Sequence, residues 1–321
     1  MTAAVIVDAA GGQLGGAARF LDELHGYLER SGREDVEIIG SRRRVRPDWL
    51  LRRELRSPAR SRRVALNNVG FVTPGGQRWT LLRNALHFLT DGEEARLDPT
   101  LRTKVRRDAV VVHLAARRSD VIVAPSTAMA ERIATIRPEL SSRVVVRPHP
   151  VSVPTIPRTP GGPVILCPVV FYSYKHMAQR LTELLAAVGH LEDPSVRIQV
   201  TAYAAEVPAV VVGHPQVELV GHLPCSEVRE MQARSRAIYF PPGLESFGYP
   251  LAEARVSGQP VIARDTAQNR EIAGPALCGY TAGDLDSLRR AVRAALTANI
   301  APDPGPFDPN SYFEWLLGSP G

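Results

Sequence analysis

Two glutamates, Glu245 and Glu253, stand eight positions apart in a setting where carboxylates could bind a hydroxylated substrate. Residues 236–240 before them form a β-type run that is apolar after Arg236, and the apolar residues within 251–256 have helical spacing. We therefore expect Glu245 in a loop at the carboxyl end of a strand, and Glu253 about two turns into the following helix. Carboxylates placed in this way suit the hydroxyl groups of a sugar.

The turn between the two glutamates reads Ser246-Phe247-Gly248-Tyr249 and opens the predicted helix. The backbone N–H groups of Phe247, Gly248 and Tyr249 are expected to be the unpaired donors of a helix start. Such a helix start attracts anions, and phosphate groups are the anions most often held there. The segment thus combines a predicted phosphate site with two flanking carboxylates.

The same stretch resembles the donor-site signature of the retaining glycosyltransferases of family four, in which a Glu is followed by Phe-Gly and, after seven residues in all, by a second Glu. The likeness continues through residues 258–263 and 269–272. The resemblance implies that the donor sugar and its phosphate are held by Glu245, Ser246, Phe247 and Gly248. It assigns the ribose hydroxyls of the nucleotide to Glu253. A glycoside hydrolase using the two glutamates as its carboxylate pair is an alternative that the spacing leaves open.

Size and composition favour two globular domains. The chain has 321 residues, 44% of them hydrophobic, and domains average about 150 residues. No apolar run approaches the roughly 20 residues of a membrane span. The three cysteines are spaced like neither a disulfide framework nor a zinc site. We therefore expect a cytoplasmic protein.

The order of predicted elements, strands alternating with helices, favours parallel sheets with helices on both sides. A proline-rich stretch, residues 148–163, separates two such series. We predict an N-terminal acceptor-binding domain over 1–155, a nucleotide-sugar-binding domain over 156–304 and a terminal segment, 305–321, that returns to the first. The resemblance implies the GT-B fold, two Rossmann-like doubly wound domains facing across a cleft.

Further candidates for the donor site are two glycines and a lysine. Gly15 and Gly16 end a glycine-rich turn after the first strand, where backbone can approach a diphosphate; the spacing does not fit a dinucleotide fingerprint. Lys175 follows the first strand of the second domain, where the resembled family carries a cation for the diphosphate. That family has an Arg before this Lys, whereas residues 169–171 here are Val-Val-Phe.

On the acceptor side, Asn84 and His87 end a strand-like run. Many members of the resembled family carry a histidine at the equivalent place, near the transferred sugar, so both residues are candidates for catalysis beside Glu245 and Lys175. Ser126 follows the next strand and is expected to cap a helix. Asp284 and Asp286 are better explained as a helix cap than as a metal site, and we expect no obligatory metal or other cofactor.

An arginine-rich segment begins at Arg42 and ends at Arg63, with Trp49 as its only aromatic residue. Nucleic-acid binding would call for stacking platforms or a known module, so no nucleic acid is expected. The segment is either solvated surface, a patch for an anionic acceptor, or a weak peripheral contact with an anionic membrane.

Together these features predict a retaining glycosyltransferase that moves a hexosyl or deoxyhexosyl group from a nucleotide-diphosphate sugar to a hydroxyl of a small-molecule, glycan or lipid-linked acceptor. Secondary-metabolite and cell-envelope glycan biosynthesis are both compatible settings. The missing Arg near Lys175, and Asn84 where histidine is common, keep a non-catalytic partner protein of the same fold as an alternative.

Overall fold

The computed structural model describes residues 4–12, 15–58, 60–168, 172–191 and 193–318. The chain divides into two compact units. The first unit comprises Met1–Ser152, Glu245–Phe247 and Pro306–Gly321, and the second comprises Val153–Leu244 and Gly248–Gly305.

The first unit contains a six-stranded, all-parallel sheet in the order β2-β1-β3-β4-β5-β6. Its strands are β1 Val5–Asp8, β2 Val36–Ile39, β3 Arg62–Ala65, β4 Arg78–Leu81, β5 Val121–Ala124 and β6 Val144–Val146. Its helices are α1 Gly15–Ser31, α2 Pro47–Arg56, α3 Asp91–Ala95, α4 Pro99–Ala116, α5 Thr127–Ile136 and the last helix, α11 Pro309–Leu317. The strand order reverses between β1 and β3.

The second unit contains another six-stranded parallel sheet, in the order β12-β11-β10-β7-β8-β9. Its strands are β7 Val164–Cys167, β8 Arg197–Val200, β9 Val217–Leu219, β10 Ala237–Phe240, β11 Val261–Arg264 and β12 Leu277–Tyr280. Its helices are α6 Met177–Gly189, α7 Cys225–Arg234, α8 Tyr249–Ser257, α9 Ala267–Ala273 and α10 Leu285–Thr297. When β7 is counted as the first strand of this unit, its strands follow the Rossmann order. The direction of the order reverses between β7 and β10.

Two parallel sheets confirm the predicted fold class. The central strands β1 and β10 are buried over their whole length, which explains their near-continuous apolar sequence, because parallel sheets are covered on both faces. In the first unit, Phe20 of α1 packs edge-on against Tyr312 and Phe313 of α11, with ring centroids 5.7 and 5.5 Å apart. The terminal helix is therefore part of the hydrophobic core of the first unit.

The arginine-rich segment contains a helix, α2, that the sequence analysis did not predict. The interpretation of the whole segment as a surface patch is wrong for Arg53 and Arg63, which are each 1% exposed. Arg53 pairs with a buried carboxylate, and Arg63 donates to the backbone of Thr73. Within the described ranges, no helix is long and apolar enough to cross a membrane.

Candidate functional site

The strand order of the second unit brings two chemically interesting loops to one edge of its sheet. Because β7 and β10 are parallel neighbours, the loop that carries Lys175 and the loop that begins at Pro241 both start at the carboxyl edge of the sheet. The order of strands reverses between them, and ligands of open α/β sheets bind at such a reversal. The fold therefore points to this edge as the ligand site of the second unit.

Lys175 ends a short 3-10 turn, Ser173–Lys175, immediately before α6. Its Nζ lies 5.9 Å from the ring centroids of both Tyr172 and Tyr174, whose rings stack 5.8 Å apart. A lysine ammonium near aromatic faces is attracted by their electron density. Residues 169–171, where the resembled family carries its Arg, lie outside the described residues.

Arg264, at the end of β11, is a second cation at the carboxyl edge of this sheet, and the sequence analysis missed it. Its guanidinium lies directly over the backbone of Gly243, so that a Cβ at that position would overlap it. Its Nε is buried and, within the described part of the chain, has no hydrogen-bond partner. Burial raises the pKa of the neighbouring Tyr280, and Arg264 opposes that rise. An arginine closing a strand after a buried apolar run was the signal available in the sequence.

The start of α8 differs from its prediction in the position of Glu253. Gly248 caps the helix in the left-handed region (φ 83°), where a Cβ would lie 2.9 Å from Leu251 and be strained. Pro250 follows in the first turn and has no N–H to donate, but the three expected donors, Phe247, Gly248 and Tyr249, precede it. Glu253, half-buried, is the fifth residue of α8 and lies little more than one turn into it, not two.

The residues Glu245–Phe247 belong to the first unit and are held there by hydrogen bonds. Ser246 Oγ donates to the carbonyl oxygen of Arg83 over 2.6 Å, and the buried Ser126 Oγ donates to the carbonyl oxygen of Ser246 over 2.8 Å. Phe247, also buried, packs against the ring of His149 with centroids 5.0 Å apart. These contacts fix the backbone on which the half-buried Glu245 stands.

Ser126 has two structural roles, since its Oγ also accepts the N–H of Met129 over 3.1 Å and caps α5. Ser126→Ala is expected to lower the free energy of unfolding by about 1–2 kcal/mol through the lost cap. It should also slow any reaction that depends on Ser246. Urea denaturation and steady-state rates measure the two effects. Ser141→Ala, at an exposed serine, is the control, and equal rates in the two variants would contradict the second role.

Asn84 and His87 lie together in the first unit. The Asn84 side chain accepts the N–H of Leu86 over 3.1 Å and caps a 3-10 turn, Ala85–Phe88. Its Nδ2 lies 3.4 Å from Nε2 of His87. The other ring nitrogen of His87 is buried and has no partner among the described residues. Gly15 and Gly16 lie exposed at the start of α1.

The histidines of this region predict acid-sensitive stability. Burial lowers the pKa of His87 to about 4 and also lowers that of His113. The pKa of His87 is near 6.5 in the unfolded chain and about 4 in the folded chain. At pH values between these two, the unfolded chain binds protons that the folded chain does not, so stability should fall as pH falls through this range. The melting temperature of the first unit is expected to drop between pH 7 and pH 5, and less so in His87→Phe. The control is His25→Asn, which alters an exposed histidine. If the melting temperature of His87→Phe depended on pH as strongly as that of the control, the prediction would be wrong.

A buried ion pair lies at the carboxyl end of β1, where the first sheet reverses its order. Asp8 and Arg53 are 0% and 1% exposed, and their Oδ2 and Nη1 atoms lie 2.5 Å apart. The carboxylate also accepts hydrogen bonds from Asn67 (2.7 Å), Trp49 (3.1 Å) and the N–H of Ala10 (3.1 Å). This network holds the first loop of the unit to α2 and to the segment after β3.

Among the described residues, no group of three or more His, Cys, Asp or Glu side chains is arranged to hold a metal ion. Asp284 caps α10 by accepting the N–H of Ser287 over 2.9 Å. The exposed Asp286 pairs with Arg289 one turn on.

Residues 213–303 match the family model of the glycosyl transferases group 1. This match, together with the fold, confirms the resemblance to glycosyltransferases at the level of that group. No curated protein sequence matches the chain significantly.

Among solved structures, the fold is that of GT-B glycosyltransferases. Anabaena HepE in complex with UDP and glucose has a TM-score of 0.65 at 13% identity, over 98% of this chain and 95% of that one. Sucrose-phosphate synthase from Thermosynechococcus elongatus has a TM-score of 0.64 at 14% identity, over 98% and 94%. WaaG, a glycosyltransferase involved in lipopolysaccharide biosynthesis, has a TM-score of 0.63 at 14% identity, again over 98% and 94%.

Proposed function

We propose that this chain, whose residues 213–303 match the group 1 glycosyltransferases, transfers a sugar from a nucleotide-diphosphate sugar to an acceptor hydroxyl with retention of configuration. One observation carries the proposal. The strand order of the second unit reverses between β7 and β10, so the loop of Lys175 and the loop leading into the two-glutamate motif leave the same edge of the sheet.

Each side chain has a role that its chemistry supports. Lys175 and Arg264 would bind the diphosphate, the lysine as a mobile point charge and the arginine as a planar fork of donors. Glu253 would accept hydrogen bonds from the ribose hydroxyls. Glu245 would hold the donor sugar, with the amides of residues 246–249 on its phosphate. Asn84 and His87 remain candidates on the acceptor side, and His87 would act there in its neutral form because burial lowers its pKa to about 4.

The proposed reaction needs no protein nucleophile. The bond between the anomeric carbon and the leaving phosphate oxygen breaks, and a bond to the acceptor oxygen forms on the same face. The acceptor proton passes to that phosphate oxygen, so charge and atoms balance. The protein then contributes positioning and stabilisation of the developing negative charge, which cations such as Lys175 supply. No obligatory metal is proposed.

Two proteins of this fold were solved with the same nucleotide. HepE was solved with UDP and glucose, and TarM with UDP and α-GlcNAc-glycerol. We therefore put UDP-sugars first, with a small-molecule, glycan or lipid-linked acceptor in cell-envelope or secondary-metabolite biosynthesis, and place the enzyme in the cytoplasm.

A ligand-stabilisation experiment tests the donor site. UDP-, GDP-, dTDP- and ADP-sugars are added to the wild type, to Glu253→Ala and to the control Glu227→Ala, which alters an exposed glutamate of α7. A ligand at 100 times its Kd stabilises the folded state by about 2.7 kcal/mol. One nucleotide class is expected to raise the melting temperature of the wild type and control, but not of Glu253→Ala. The absence of any shift would overturn the proposal.

A second measurement separates the alternatives. A transferase should release free nucleotide from the nucleotide sugar only when acceptor is present, whereas a non-catalytic partner or a hydrolase should not.

We also propose a weak peripheral contact of α2 with an anionic membrane surface. Leu51 and Leu55 are 63% and 79% exposed on this helix, and the exposed Arg52 and Arg56 flank them. Apolar side chains framed by arginines suit the boundary between head groups and acyl chains. Co-sedimentation with anionic vesicles is expected and should be lost in a Leu51→Ser, Leu55→Ser variant; equal sedimentation of that variant would contradict the contact.

A further inference from the structure

A cavity of about 320 Å³ opens in the first unit beside its first two strands. Its apolar wall is formed by Ile6, Ile39 and Trp49. The indole of Trp49 is buried and donates to the carboxylate of Asp8, so this wall is fixed by the ion-pair network at the end of β1. The volume lies at the lower end of the range for small-molecule sites.

Three arginines, Arg42, Arg43 and Arg56, line the same cavity, whereas Glu37 is the one acidic residue among the described residues that line it. Within the described ranges, none of the three guanidinium groups forms an ion pair. Other arginines of the unit do find carboxylates, as Arg78 does in Asp120. The cavity therefore holds positive charge that the protein itself does not balance, and such a concave site attracts anions.

The backbone that carries these arginines is held in place before any ligand arrives. The N–H of Arg43 donates to the carbonyl oxygen of Gly40 and its own carbonyl oxygen accepts the N–H of Gly11, each over 2.8 Å. Arg56 ends α2, the helix that the buried Arg53 ties to Asp8. Fixed attachment points reduce the entropy lost when the side chains close on a ligand.

We propose that this cavity binds a phosphate group carried on a small hydroxylated body, with Arg42, Arg43 and Arg56 on the phosphate oxygens. The planar fork of a guanidinium matches two oxygens of a phosphate at once, and the apolar wall at Trp49 receives the body of the ligand. The site goes beyond the proposed sugar transfer, which requires no anion there. The phosphate belongs either to a water-soluble molecule or to a lipid head group.

Calorimetric titration with glycerol 3-phosphate and with inorganic phosphate tests the site directly. The wild type is expected to bind both, more weakly as salt rises, and not to bind glycerol. Removing one arginine, as Arg43→Ala or Arg56→Ala, should weaken binding about tenfold or more. The control is Arg118→Ala, which alters an exposed arginine that follows α4 and does not line the cavity. An equal loss in that variant would show charge attraction without a site and overturn the proposal.

Vesicles distinguish the two sources of phosphate. The vesicle test uses the Leu51→Ser, Leu55→Ser background, in which the proposed membrane contact of α2 is removed. Co-sedimentation with phosphatidic acid vesicles but not with phosphatidylcholine vesicles, lost on adding Arg43→Ala or Arg56→Ala and kept on adding Arg118→Ala, would assign the site to a lipid head group. Titration by glycerol 3-phosphate without co-sedimentation would assign it to a soluble ligand. If neither phosphate probe binds and the arginine variants sediment like their background, the inference is wrong. Unchanged melting temperatures of the variants confirm that each is folded, as expected for exposed side chains.

Discussion

Lys175→Ala is expected to lower kcat for sugar transfer by about 10²–10³-fold, with a smaller change in KM. Negative charge develops on the leaving diphosphate as its bond to the sugar breaks, and removing one preorganised group that stabilises such charge typically costs this much. The position of Lys175, at the edge of the sheet where strand order reverses, supports this role. Steady-state rates of nucleotide release measure the effect.

The second lysine of the chain provides the control. Lys104 lies exposed on α4 of the first unit. Lys104→Ala also removes one positive charge, but at a position distant in sequence from the two-glutamate motif, and should leave kcat unchanged. Lys175→Arg should recover part of the rate, since it keeps the charge but not the shape of the ammonium. Equal rates for wild type and Lys175→Ala would remove this lysine from the mechanism and leave Arg264 as the cation to examine.

Asp8→Ala is expected to reduce the free energy of unfolding of the first unit by about 3–5 kcal/mol. The change leaves the guanidinium of Arg53 buried without its carboxylate, and three further donors, Asn67, Trp49 and the N–H of Ala10, lose their acceptor. An uncompensated buried charge costs far more than the ion pair itself contributes. Urea denaturation followed by tryptophan fluorescence measures the loss, since Trp49, Trp79 and Trp315 all belong to the first unit.

A double replacement separates the cost of the orphaned charge from the cost of an altered core. Asp8→Ala with Arg53→Met removes both charges and should recover much of the lost stability, as buried pairs replaced by apolar residues often do. Asp120→Ala, which breaks a partly exposed pair with Arg78, should cost no more than about 1 kcal/mol. If Asp8→Ala lowered the free energy of unfolding no more than Asp120→Ala does, the buried ion pair would not stabilise the first unit as its burial indicates.

Local patterns explain why the fold class was predictable. The strands of a parallel sheet are buried on both faces, and short apolar runs such as residues 5–7 and 237–240 carry that requirement in their composition. The motif around Glu245 and Glu253 was also visible, because it is a contiguous run of residues. Helix α2 was missed because its many arginines hide the apolar positions, Trp49 and Leu50, that pack it against the unit.

The amino-acid sequence alone therefore indicated two parallel-sheet units, the glycosyltransferase resemblance and the motif, since each depends on residues close together in the chain. Tertiary structure alone decided which arginines are buried and which are open. Arg53 and Arg56 are three positions apart, yet one pairs with Asp8 in the core and the other lines an uncompensated cavity. It also revealed Arg264 lying over Gly243. A side chain's partner is set by which strands are neighbours, and strand order is a property of the folded sheet that no local pattern carries.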